Sequence, residues 1–181
     1  MFSSIYSESV ELSKILVARS ADLGFIKVVG RGSFQNSGCL KAFYQQLLKE
    51  GVYRFVVDLE ACTYLDSTFL GILLGLGLKL KDAGNGLLHI LNASPRNLEL
   101  LKNLGLDRLI HIDSPRAKLN GVPENKLEEV ACARPTREEA APTILEAHEA
   151  LMEFDPRNIP KFKDVVEFLR EDLGQPAGNG K

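Results

Sequence analysis

Asp66, Ser67 and Thr68 set a carboxylate and two hydroxyls side by side where a strand-like segment gives way to a helix-like one. Upstream, Phe55, Val56, Val57 and Leu59 form a short apolar run rich in β-formers; downstream, Phe69, Leu70, Ile72, Leu73, Leu74 and Leu76 recur at helical spacing. Ser67 or Thr68 is therefore expected to cap a helix. Unpaired N–H groups and the positive dipole end make such a position favourable for an anion, including a phosphate carried by the serine itself. A plain cap is the competing reading, since Asp, Ser and Thr are the preferred capping residues.

Asp58 at a strand end and Asp66 beside Ser67 also invite an enzyme reading, with paired carboxylates or a Ser-His-Asp triad. The histidines are at 89, 111 and 148, and His89 and His111 fall in short strand-like segments among apolar neighbours. They read as structural, and no G-x-S-x-G elbow exposes a nucleophile. No catalytic residue is assigned. Ser67 suits being a substrate better: a phosphoserine adds about −1.5 to −2 charge beside Asp66, which repels any interface that had accepted the neutral hydroxyl.

The composition narrows the classes further. With 181 residues and 45% hydrophobic content the chain can bury one ordinary core plus an appendage. A formal charge of −2 carries no footprint for nucleic acid. Three cysteines, Cys39, Cys62 and Cys132, lack any C-x-x-C spacing, so neither a disulfide framework nor a zinc site is implied and a reducing cytoplasm fits best. No window reaches the roughly 18 to 20 apolar residues of a membrane span, and the N-terminus lacks a basic region followed by an apolar one. No cofactor is expected. The loop Gly30-Arg31-Gly32-Ser33-Phe34 matches no phosphate-binding motif and reads equally as a tight turn or a contact surface.

The elements that must position Ser67 alternate. Lys14 to Ser20 and Phe25 to Val29 flank a turn at 21–24 and form an antiparallel pair. A helix over Cys39 to Glu50 closes at Gly51, followed by the strand Arg54 to Leu59, a helix from Thr68 to Ala83, the strand Leu87 to Leu91, a short helix Pro95 to Asn103 and a last strand Leu109 to Ile112. Strands separated by such helices imply right-handed crossovers and a mainly parallel sheet. Gly75 and Gly77 would each cost roughly 1 kcal/mol inside their helix, which asks for close packing or a partner's backbone.

Residues from about Lys14 to Ile112 resemble the STAS domain of bacterial anti-sigma factor antagonists. In that family a strand ends in D-S-[ST]-G-[LM]-G; the matching residues are Asp66, Ser67, Thr68, Phe69, Leu70 and Gly71, with Phe69 departing from the family's glycine. The strand 87–91, Asn92-Ala93-Ser94-Pro95-Arg96 and Leu104 to Leu109 follow in the family's order. The resemblance implies an α/β fold with a mixed sheet, an antiparallel N-terminal pair and then parallel βαβ units. It also implies phosphorylation of Ser67, with Thr68 as the alternative, and a partner surface of Arg31, Ser33, Phe34, Asp66, Ser67, Thr68, Phe69 and Leu70. The implied partners are an anti-sigma factor that is a serine kinase, and a serine phosphatase. A non-phosphorylated STAS scaffold or interaction subunit in a transport or stress-sensing assembly is the alternative.

The pattern changes after Ile112. Residues 1–113 read as the STAS domain, 114–135 as a linker, 136–173 as a helical hairpin and 174–181 as a disordered tail. Thr136-Arg137-Glu138-Glu139 resembles a capping box, and Ile144, Leu145, Ala147, His148, Leu151 and Met152 form a stripe. A second helix carries Phe162, Val165, Val166, Phe168 and Leu169. These apolar faces need a surface, which the domain itself, a second copy in a homodimer, or a partner could supply.

Overall fold

The computed structural model describes residues 13–113 and 126–174, so the expectations for 1–12, for most of the linker and for the tail beyond Gly174 lie outside the described residues. The chain runs β1 (Lys14–Ser20), β2 (Leu23–Gly32), α1 (Phe34–Lys49), β3 (Arg54–Asp58), β4 (Cys62–Leu65), α2 (Ser67–Asp82), β5 (Leu87–Leu91), α3 (Pro95–Asn103), β6 (His111–Ile112), β7 (Glu128–Glu129), α4 (Arg137–Phe154) and α5 (Ile159–Asp172). The strands form one seven-stranded mixed sheet in the order β6-β5-β3-β2-β1-β7, with β4 paired to the end of β2. β1 is antiparallel to β2 and β7, while β3, β5 and β6 continue in parallel.

Alternation sorts the strand side chains onto two faces. Ile26, Val28, Phe55, Val57, Leu88 and Ile90 join the main core beneath α1 and α2, whereas Leu23, Phe25, Val56 and Leu91 form a smaller cluster of their own. α2 is buried on nearly all sides because it has a layer on each side. The sheet lies below it, and α4 crosses above it with Ala147 and Leu151 joining the main core. The hairpin thus folds back on the α/β core. It keeps a further cluster to itself, in which Ala141 and Leu145 of α4 meet Val166 and Leu169 of α5. Its turn is fixed by Asp155, which is ion-paired to Arg157 and to Arg108 of the core, and by Asn158, whose Nδ2 donates to the carbonyl oxygens of Leu104 and Leu151.

Several expectations change. α1 starts five residues before Cys39, because the Ser33 N–H is satisfied by Asn36 Oδ1 and the chain can enter the helix there. Residues 62–65 form a strand of their own, β4, a segment to which the residue pattern assigned no element. Part of the expected linker is structured: β7 pairs with β1, and Cys132 is disulfide-bonded to Cys39 of α1 with Cα atoms 5.7 Å apart. Cys39 and Cys132 thus form a pair that their spacing in the sequence did not imply. No helix among the described residues is long and apolar enough to cross a membrane.

The helix glycines divide by packing. A β-carbon on Gly77 would meet Leu109 at 3.0 Å, and one on Gly75 would touch only the Tyr44 hydroxyl at 3.7 Å, so their neighbours come from the chain itself. Gly71 is the tight position, where a β-carbon would fall 2.4 Å from the Ala147 carbonyl oxygen. Gly71→Ala should therefore destabilise the full chain by about 1–3 kcal/mol in urea unfolding, as overpacking does. Gly38→Ala, where nothing lies within 4 Å, should instead gain about 0.5–1 kcal/mol from helix propensity.

Candidate functional site

β4 delivers the chain to Asp66, and the cap falls there instead of on Ser67 or Thr68. The reason is the reach of the carboxylate. Asp66 Oδ1 accepts from the Phe69 N–H at 2.8 Å, and Oδ2 accepts from the Phe34 N–H at 2.9 Å. One anion thus satisfies an orphan donor at the start of α2 and another at the start of α1. Burial pushes the Asp66 carboxyl up, and these N–H donors act the other way.

With the cap taken, the Ser67 hydroxyl is free to bond elsewhere. Ser67 Oγ lies 2.8 Å from His148 Nε2 on α4, and His148 Nδ1 lies 2.8 Å from the Ile144 carbonyl oxygen. A carbonyl only accepts, so Nδ1 carries the proton and Nε2 accepts the Ser67 O–H. The imidazole is buried, with its ring tilted against Phe162 at 4.8 Å between centroids. Burial holds His148 below the usual imidazole range, opposed by the Ile144 carbonyl and the Asp66 charge.

The predicted contact residues separate into three groups. Asp66, Ser67 and Phe34 meet at the paired starts of α1 and α2, all half-buried, and Ser33 beside them is buried. Thr68, Phe69 and Leu70 are 4%, 0% and 1% exposed, so in this state they are core residues without a surface to offer. The Phe69 ring lies over Gly32, where a β-carbon would meet it at 3.0 Å, so the ring is spent on the core. Of these residues Arg31 alone is exposed, with its guanidinium 4.3 Å over the Tyr64 ring and that of Arg96 5.5 Å from the same ring.

The Ser67–His148 pair was missed in the sequence, because 81 residues separate its members and nothing local marks them. It has two members of a hydrolytic triad without the third: the Asp66 oxygens bind backbone N–H groups, and Nδ1 faces a carbonyl. Asp58 is held by Lys27, Asn92 and the Glu60 N–H, so the two aspartates do not form a carboxylate pair. An apolar cavity of about 550 Å³ between α1, residues 130–135 and α4 is lined by neither Ser67 nor His148. At the β5–β6 edge, His89, His111 and Asp113 bring ligand-type atoms within 4.8 Å of one another, the one cluster among the described residues with donors for a metal ion. His89 and His111 each contact Asp113, at 2.9 and 3.2 Å.

A histidine less basic when buried than when unfolded supports the folded state fully above its unfolded pKa of about 6.5, and loses that support as pH falls through this value. Asp66, raised by burial, acts in the opposite sense on going to lower pH. Urea midpoints of the full chain should therefore fall between pH 7.5 and 5.5 by more than those of His148→Gln; equal changes would contradict the buried neutral imidazole.

Residues 15–111 match the family model described as Mlab, STAS domain. An anti-sigma factor antagonist from Mycobacterium paratuberculosis is similar in structure, at TM-score 0.51 and 18% identity, over 60% of this chain and 91% of that one. A putative anti-sigma factor antagonist from Thermotoga maritima is similar at TM-score 0.50 and 18% identity, over 54% of this chain and 85% of that one. At such identities the likeness speaks to the fold. No curated protein matches the chain. The family match spans more than half of the residues, including the strand–turn–helix that carries Ser67, and the chain belongs to the Mlab STAS-domain family.

Proposed function

We propose that the chain is an anti-sigma factor antagonist. In this reading the unphosphorylated form sequesters an anti-sigma factor of the serine-kinase type in the cytoplasm and frees a sigma factor. Phosphorylation of Ser67 ends the interaction, and a serine phosphatase restores it. The observation that carries the reading is Ser67 at the first position of α2, its hydroxyl clear of the cap and beside the Asp66 carboxylate. A phosphate there adds charge to a half-buried acidic site, so release follows from local repulsion. Thr68, the other candidate acceptor, is almost fully buried. The antagonists of similar fold suggest the class of partner, and Arg31 with Arg96 around Tyr64 supplies a cationic rim on the exposed side.

The second reading is an unphosphorylated STAS scaffold or interaction subunit in a transport or stress-sensing assembly. It is favoured by one observation, that α4 covers the serine and His148 already holds its hydroxyl. Phosphopeptide mapping of protein purified from its native cells separates the two. Phosphate on Ser67 supports partner switching; full coverage of residues 60–80 across several growth conditions without it turns the account to the scaffold. Against the captured partner, Ser67→Glu should bind at least tenfold more weakly than wild type and Ser67→Ala should bind constitutively.

A further inference from the structure

We infer that the α2 face around Ser67 and Gly71 is a docking surface for an amphipathic helix, and that α4 is its occupant in cis, which a partner's helix must displace. The seat has three parts. Gly71 accepts the backbone of a small residue, Ala147; Ser67 donates to an acceptor one position on, His148; and Leu151, one turn later, enters the core. A competing helix would carry the same pattern of a small residue, a hydrogen-bond acceptor at i+1 and a large apolar residue at i+4, which lie on one helix face.

Two further observations make α4 an occupant that can leave. The hairpin has its own apolar cluster, Ala141 and Leu145 with Val166 and Leu169, which remains buried if it moves as a unit. Beside the apolar contacts of Ala147, Leu151, Phe154 and Phe162, its attachments to the core are polar ones: Ser67 with His148, Lys41 with Glu146, Arg108 with Asp155, Asn158 with the Leu104 carbonyl, and Lys161 with the Asn103 carbonyl. All of these groups can be rehydrated on opening, as in interfaces that form transiently.

Ser67 modification and α4 docking exclude one another. A phosphorus bonded to Oγ would bring three oxygens into a gap of 2.8 Å now spanned by one hydrogen bond, against a buried neutral imidazole and beside the Asp66 carboxylate. A kinase can therefore reach Ser67 only with α4 lifted, and phosphate then prevents α4 from returning. This regulation rests on the partner-switching reading of Ser67, whereas the docking surface itself does not.

Hydrogen exchange on the full chain tests it, comparing wild type, Ser67→Ala, Ser67→Glu and Ala147→Arg. Amides of 137–172 should lose at least tenfold protection in Ser67→Glu and in Ala147→Arg, and less than threefold in Ser67→Ala, while amides of β3 and β5 keep theirs. Unchanged hairpin protection in both Ser67→Glu and Ala147→Arg would overturn the inference. Loss of β3 and β5 protection together with the hairpin would also overturn it, because the hairpin would then be part of one cooperative unit. Absence of phosphate on Ser67 in cells would remove the partner-switching reading and leave this result standing.

Discussion

Gly71 allows α4 to cross α2 so closely that no β-carbon fits between Gly71 and the Ala147 carbonyl oxygen. That close approach sets the depth at which α4 sits, and the depth sets the rest. It places the next residue, His148, within hydrogen-bond reach of Ser67, and it buries Leu151 completely one turn later. The two consequences differ in size. Burial of a leucine side chain contributes about 1.5–3 kcal/mol, whereas a neutral hydrogen bond contributes about 0.5–1.5 kcal/mol net. The apolar seat thus holds the helix, and the serine–histidine bond specifies its register. Charge at Ser67 reverses the balance, since a buried unpaired charge costs more than either contribution.

Asp66 has the complementary task below the crossing. Its carboxylate accepts N–H groups from Phe34 and Phe69, tying the starts of α1 and α2 to the end of β4. A serine cap would have spent its own hydroxyl on this role. Because the neighbouring carboxylate caps the helix, the Ser67 hydroxyl is left at the helix start and bonds across to His148 instead of to its own backbone. The same carboxylate makes the position acidic before any modification, so an added phosphate meets a charge already present.

The mixed sheet, with its antiparallel first pair and parallel strands after it, and the helices over 67–172 were legible in the sequence, because alternation and helical spacing report burial on one face of each element. The Thr136–Glu139 capping box was legible for the same kind of reason, being local. What was not legible depended on tertiary neighbours. The α1 start lies upstream of its apolar pattern because Asn36 supplies the acceptor. β4 is too short for a periodicity to show and exists through its pairing with the end of β2. Phe69 read as a surface ring beside the serine, yet the close backbone at Gly32 gives it a place in the core. Cys39 and Cys132 are 93 residues apart, and Ser67 and His148 are 81 apart, separations at which no spacing rule operates.

The seating of α4 on the serine is the claim on which the account turns, and nitrogen-15 NMR of the His148 imidazole reads it directly. The account predicts a neutral ring at pH 7.5 with the proton on Nδ1, and an Nε2 resonance that shifts when Ser67 is replaced by alanine while the Nδ1 proton stays in place. A ring that averages between tautomers as in free solution, with the same spectrum in wild type and Ser67→Ala, would contradict it.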